Sequence, residues 1–298
     1  IKNVLPSQQH YFWRMALALS SDKSTFVDCL TIRPVSFSSC KKRFWRNEIE
    51  KYSDNLKIEY MPFINGRILK YITISVSLSR ALKRWIKLNR NEKKAIIIDG
   101  LQGIYAHRII RIAKANAIEI TGVITDLPSF ITDTVHTDYL KVKKLMQTAI
   151  DNIAYILING LDKYIFLTKY MNERIMKKDR PYIIIEGIAP KFPLVSNKRK
   201  SNSNVKIIMY AGGVYEKYGI HTLVEGFRAI KNENIELDIY GPGDAVQYVK
   251  SSSLVDRRIR YCGVAPADEM LQLEQSASLL VITRPTDEEY TKYSFPSK

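Results

Sequence analysis

Short apolar runs alternate with helical stretches along almost the whole of this 298-residue chain, and that alternation constrains the fold more than any single motif. Up to a Pro-, Ser-, Asn- and Lys-rich segment (PKFPLVSNKRKSNSN, 190–204), strand-like runs fall at 26–32, 56–63, 95–99, 118–125, 164–168 and 182–186. Helical spacing marks 68–88, 105–116, 139–158 and 169–177. Beyond the segment, strands at 206–210, 235–240, 259–262 and 279–283 alternate with helices at 220–230, 245–252 and 267–277. Parallel strands need long crossovers, usually helical, so this order predicts parallel sheets covered on both faces. Two such runs joined by a segment with no apolar period predict two Rossmann-like α/β domains, 1–190 and 205–298, with 191–204 as the linker and the sheets facing a cleft. In open parallel sheets ligands bind beyond the carboxyl ends of the strands, which makes the residues after each strand the ones to read for chemistry.

Charge narrows the partners. The net charge is +16, and residues 1–190 hold 31 Lys/Arg against 17 Asp/Glu, while 191–298 hold 15 against 13. An excess concentrated in the first domain favours an anionic surface: a phosphate-bearing substrate, acidic lipid or nucleic acid. The basic aromatic stretch Lys41-Lys-Arg-Phe-Trp-Arg46 and the cationic region 80–94 suit anionic lipid headgroups; solvated charged faces are the plainer account. No run reaches the roughly 18–20 apolar residues of a membrane span, and the apolar patch at 15–19 is too brief for a signal core. Three widely spaced cysteines (Cys29, Cys40, Cys262) argue against a disulfide framework or a zinc site and fit a reducing cytoplasm.

Four strand ends carry candidate chemistry. Gly212-Gly213 lies between an apolar strand and a helix, where glycine lets backbone approach an anion and a helix amino terminus offers free N–H groups; Lys217 adds a point charge. A plain strand-to-helix turn uses the same residues. Gly241-Pro-Gly-Asp244 is half of a dinucleotide fingerprint, but Val246 stands where the third glycine belongs and no acid follows at the required spacing. Arg284 ends the last strand, followed by Asp287, Glu288 and Glu289, which are metal or sugar-hydroxyl ligands on one reading and a solvated acidic loop on the other. In the first domain Asp99 and Asp126 end neighbouring strands; either can orient a substrate hydroxyl, act as base, or simply cap a turn. The four histidines (His10, His107, His136, His221) form no spaced pair.

Taken in order, Tyr210-Ala-Gly-Gly-Val-Tyr-Glu-Lys-Tyr-Gly219, Glu236-Leu-Asp-Ile-Tyr-Gly-Pro-Gly-Asp244, Arg258-Ile-Arg-Tyr-Cys-Gly-Val-Ala-Pro266 and Arg284-Pro-Thr through Phe295-Pro-Ser-Lys298 resemble the donor domain of family 4 glycosyltransferases, bacterial polysaccharide type. Glu186-Gly187 resembles that family's segment before the interdomain crossover. The resemblance implies a GT-B fold and a retaining, metal-independent hexosyltransferase without a cofactor. Its partners would be a nucleotide-sugar donor and a lipid-linked or growing glycan acceptor for surface polysaccharide, with nucleic acid disfavoured. It implies a cytoplasmic place, peripheral to the inner face of the cell membrane.

By residue, the resemblance puts the donor diphosphate on Gly212, Gly213, Lys217 and Arg284, the nucleotide on Gly241, Gly263, Val264 and Ser294, and the reacting sugar beside Asp126. The chain departs from the family at Val214, where relatives carry arginine, at Tyr218 between Lys217 and Gly219, and at Tyr293, where the first of two spaced glutamates belongs. The second would come three residues after Lys298. The expectation is a chain truncated at both ends, its donor domain incomplete and its grip on the nucleotide weak. The rival expectation is a non-catalytic fragment or pseudo-enzyme that binds an anionic surface or a partner chain.

Overall fold

The structure, a computed structural model, describes residues 7–35, 37, 40–100, 103–127, 152, 154–175, 179–189, 205–286, 289–293 and 295. The expected linker, most of the helix expected at 139–158, and His136, Asp287, Glu288 and Ser294 lie outside them. The chain divides into two compact units, one over Leu5–Ala189 with Tyr293–Phe295, the other over Pro190–Lys292.

In the first unit, helix α1 (Ser7–Ser20) precedes β1 (Val27–Thr31), β2 (Phe44–Trp45), β3 (Glu48–Lys51), β4 (Leu56–Tyr60) and β5 (Phe63–Ile64). Then come α2 (Leu69–Leu88), β6 (Ala95–Asp99), α3 (Gly103–Ala115), β7 (Glu119–Ile124), β8 (Lys163–Phe166), α4 (Lys169–Ile175) and β9 (Tyr182–Ile184). Strands β6-β7-β8-β9 form a parallel sheet in chain order. The expected all-parallel pattern gives way earlier: β1 runs parallel to β4, but β3 pairs with β4 antiparallel, and β2 and β5 make a separate antiparallel ribbon. The run at 56–63 breaks into β4 and β5 at Met61-Pro62, since proline cannot donate to a ladder.

The core of this unit gathers Ala106, Ile110 and Ala113 of α3, Ile120 and Ile124 of β7, Tyr164 and Phe166 of β8, and Met171 and Ile175 of α4. The β7 backbone runs so close to its cover that a Cβ on Gly122 would come within 2.2 Å of the Leu161 Cδ1. Helix α1 docks by a polar edge: the Tyr11 hydroxyl donates to the Ile185 carbonyl at 3.0 Å, and burial pushes its pKa up to about 12. Helix α2 is pinned to β1 and β4 by charge. The Trp85 indole N–H donates to the Asp28 carboxylate at 2.7 Å, which also pairs with Lys57, and Arg84 pairs with the buried Glu59.

In the second unit the order is β10 (Lys206–Ala211), a 3-10 turn (Glu216–Tyr218), α5 (Ile220–Arg228), β11 (Ile235–Tyr240), α6 (Val246–Val255), β12 (Ile259–Gly263), α7 (Ala267–Ser276), β13 (Leu279–Leu280) and all but the last residue of the short α8 (Glu289–Tyr293). The sheet is parallel, ordered β12-β11-β10-β13. Its core packs Leu237 and Ile239 of β11 against Ile220, Val224 and Phe227 of α5 and Val249 of α6.

Hydrogen bonds to an ionised group contribute about 1.5–3 kcal/mol. Trp85→Phe, which keeps the ring and deletes the donor to Asp28, should lower the urea midpoint of the first unit by an equivalent of about that amount. An unchanged midpoint would mean that this bond does not hold α2 to the sheet.

Candidate functional site

At the carboxyl end of the second sheet the loops touch backbone to backbone. After β10 the Gly212 N–H donates to the Tyr240 carbonyl at 2.9 Å and the Val214 N–H to the Pro242 carbonyl at 2.8 Å. The Ala245 N–H returns to the Val214 carbonyl at 3.0 Å. That zipper leaves no space for side chains. A Cβ on Gly241 would lie 1.6 Å from the Gly212 carbonyl oxygen, and one on Gly243 would lie 1.9 Å from that of Val214. Gly241 also takes φ 130°, a conformation natural to glycine alone. The half fingerprint Gly241-Pro-Gly thus has a packing origin. On its other side the Gly241 N–H donates to the Gly263 carbonyl (2.8 Å) and its carbonyl accepts from the Tyr261 hydroxyl (3.0 Å).

The turn at 215–219 closes onto the loop after β13. Gly219, at φ 78°, packs so that a Cβ would fall 2.2 Å from the Thr283 carbonyl oxygen. The Thr283 hydroxyl donates to the Tyr218 carbonyl at 2.6 Å, and the Asp244 carboxylate accepts the Glu216 N–H at 2.9 Å. This docking brings two of the expected diphosphate ligands to one ring. The Lys217 ammonium lies 5.4 Å and the Arg284 guanidinium 5.7 Å from the centre of Tyr218. The ring of Tyr215 meets Tyr218 edge-on (5.6 Å) and occupies the space beside Gly213 where a Cβ would go. Gly213 accepts from the Tyr210 hydroxyl at 2.8 Å, and its own N–H has no partner among the described residues. Gly212, by contrast, spends its N–H on Tyr240. No side chain caps α5 at its amino terminus, where Gly219 is the N-cap. The arrangement offers an anion two cations, one backbone donor and an uncapped helix start.

The other expected residues are placed as follows. Gly263 (φ 81°) ends β12 beside Gly241, and the exposed Val264 follows it. In the first unit Asp126 is exposed between the buried Thr125 and Leu127, just past β7, and Asp99 ends the adjacent β6. Tyr215 and Thr283 were not singled out from the sequence, Tyr218 stood there only as a departure from the family pattern, and Asp244 only as the end of the half fingerprint. The two tyrosines flanking Lys217 were the available signal for an aromatic platform. Two shallow basic depressions contain none of the residues expected to hold the donor or the reacting sugar, although the second falls in the cationic region 80–94. One is lined by Lys250, Arg257 and Arg260 at the α6–β12 edge, the other by Lys83, Lys87, Arg90 and Lys94 at the end of α2. Among the described residues no group of three or more His, Cys, Asp or Glu stands close enough to hold a metal ion.

No protein-family model and no curated sequence matches this chain. Solved structures do. A UDP-forming α,α-trehalose-phosphate synthase from Burkholderia vietnamiensis superposes with a TM-score of 0.52 at 8% identity, over 92% of this chain and 83% of that one. A lipopolysaccharide outer core galactosyltransferase, WaaB, gives 0.46 at 13% identity over 74% of this chain. Anabaena HepE in complex with UDP gives 0.49 at 11% over 78%. This chain spans 57% and 62% of the lengths of those last two. The fold is α/β of the GT-B class, built from Rossmann-like units with parallel sheets.

Three glycines separate the packing demands of the site. Gly241→Ala should cost more than about 3 kcal/mol, because backbone blocks its Cβ. Gly263→Ala, left-handed but open, should cost about 1–2 kcal/mol. Gly226→Ala, inside α5 with nothing within 4 Å, should stabilise by roughly 0.5–1 kcal/mol. Urea unfolding of the three variants checks the order, and equal effects would refute the zipper.

Proposed function

We propose that the chain acts as a glycosyltransferase that takes a hexosyl group from a nucleotide-sugar donor, with retention of configuration and without a metal ion. The observation that carries this reading is the convergence of Lys217 and Arg284 on Tyr218 beside the Gly213 N–H, at the carboxyl end of a parallel sheet. When a glycosyl–phosphate bond breaks, negative charge grows on the departing diphosphate. Fixed cations and a backbone donor aimed at that charge lower the barrier, because they are already oriented before reaction. In this proposal Gly213, Lys217 and Arg284 hold the diphosphate, and Gly212 shapes the loop that carries them. Gly241, Gly263, Val264 and Ser294 form the nucleotide side. Asp126 serves the reacting sugar or acceptor hydroxyl, as base or orienting group.

The basic first unit suits an acceptor with anionic character, such as a lipid-linked or growing glycan of a surface polysaccharide, at a cytoplasmic location. No cofactor is required, since the nucleotide-sugar is itself the substrate.

Calorimetry with UDP and then a panel of UDP-sugars tests the reading. The unmodified chain should bind UDP, and Lys217→Ala and Arg284→Ala should each weaken binding by about tenfold or more, the worth of a charge-assisted contact. Asp126→Asn should leave UDP affinity unchanged and slow transfer by about 100-fold or more. Unaltered affinity in both cation variants would sink the assignment of the site. Bound UDP with no transfer from any donor in the panel would overturn the enzyme reading in favour of a binding module.

A further inference from the structure

The turn that carries Lys217 has a further tie besides Asp244 and Thr283. His221 stands in the first turn of α5, and its Nε2 lies 3.6 Å from a carboxylate oxygen of Glu216, the residue before Lys217. The flat side of the imidazole stacks on the Tyr248 ring of α6, with centroids 3.8 Å apart and planes 16° from parallel. The Tyr248 hydroxyl donates to the Glu225 carboxylate at 2.7 Å, and Arg228 pairs with the same carboxylate at 2.9 Å. One ring thus joins three elements: the 3-10 turn, α5 and α6.

The charges around the ring come from every element packed against it. The 3-10 turn brings Glu216 and, next in the chain, Lys217; α5 brings Glu225 and Arg228; the loop before α6 brings Asp244, which accepts the Glu216 N–H. The Tyr248 hydroxyl bond, with the charges of Arg228 and His221, holds the Glu225 carboxyl below the usual carboxylate range, so Glu225 and Arg228 offset each other. A protonated imidazole then completes an ion pair with Glu216, over an aromatic face that attracts cations. A neutral one leaves Glu216 an uncompensated anion beside Lys217. His221 is the one histidine of the second unit, and imidazole is the only side chain whose ordinary charge change falls between about pH 5 and 8. Burial pushes the Cys262 thiol up, away from that range.

We propose that His221 is a positioning residue, a proton-controlled latch on Glu216 and the Lys217 turn that tightens the grip on the donor diphosphate when the imidazole is charged. The inference rests on the reading of Lys217 as a diphosphate ligand. Two effects act in the same direction. Glu216 is exposed and adjoins Lys217, so its free carboxylate repels an anionic ligand, and a charged His221 offsets that repulsion. The same ion pair restrains the turn from the α5 side, where Asp244 and Thr283 hold only its backbone. As pH rises through the imidazole range both effects are lost and donor affinity falls. The pair is open to solvent, so the change is a few-fold rather than a few decades.

The probe is UDP-glucose, whose diphosphate diester keeps its charge across this range. Calorimetry at about pH 6 and about pH 8 should show the unmodified chain binding about threefold more tightly at the lower pH. His221→Phe keeps a ring on Tyr248 and deletes the proton, and should bind alike at both. Glu216→Gln should also bind alike at both. His221→Lys, a fixed cation, should match the unmodified chain's lower-pH affinity at either pH. An unmodified chain with no pH dependence would overturn the latch, and so would full dependence retained in Glu216→Gln, since the charge would then act on the ligand without Glu216. Urea unfolding tests the latch without a ligand. The midpoint should drop between the two pH values by more in the unmodified chain than in His221→Phe, a comparison that cancels the other three histidines. An equal drop would overturn the latch, whereas failure of UDP-glucose to bind any of these chains would count against the donor reading alone.

Discussion

The carboxyl end of the second unit's sheet depends on backbone meeting backbone. The loops after β10 and β11 approach so closely at Gly212–Gly241 and Val214–Gly243 that a methyl group at 241 or 243 would overlap a carbonyl, and Gly219 meets Thr283 in the same way. Hydrogen bonds across these seams fix the loops at the height of the strand ends. That closure sets where Lys217 can reach, because the turn bearing it is held from one side by Asp244 and from the other by Thr283. It also brings Arg284 to Tyr218. The cations are therefore placed by packing done elsewhere, which is what preorganisation for an anion requires.

Much of this architecture was legible in the chain. The apolar runs of β6, β10, β11 and β12 stand clear between turn residues, and α2 was read to within a residue of its start because its period runs unbroken over five turns. The glycines announced close approach but not to what. Gly212-Gly213 reads equally as a phosphate loop or a tight turn, and only the position of the β11 loop shows that Gly212 spends its N–H inside the protein while Gly213 does not. The convergence of Lys217 and Arg284 is a tertiary fact, 67 residues apart in sequence, that no local pattern encodes.

The missed elements have physical reasons. Helix α1 carries apolar residues at 12, 15, 16 and 19, a helical period, but only Met15 and Ala16 are deeply buried and the stretch reads as a short apolar patch. Strand β3 (EIEK) is exposed at every residue and has no buried face to reveal it; pairing with β4 and the Arg33–Glu48 ion pair hold it. The run at 279–283 looks like a five-residue strand, yet only Leu279 and Leu280 join the ladder. Beyond Val281, which still donates to Met209, the chain leaves the sheet and Thr283 is captured by the Tyr218 turn. The basic excess was plain in the composition, but the fold divides it: Lys57, Arg84 and Lys163 serve ion pairs within the first unit, while Lys41, Lys42, Arg43 and Arg46 stay exposed.

Hydrogen exchange read by mass spectrometry, with and without UDP, tests the central claim most directly, because it reports where the nucleotide sits without requiring turnover. The account predicts added protection in two separate segments at once, 211–219 and 281–286, as the Gly213 amide and the Tyr218 turn are covered. Protection confined to 250–261, the basic depression at the α6–β12 edge, would contradict it.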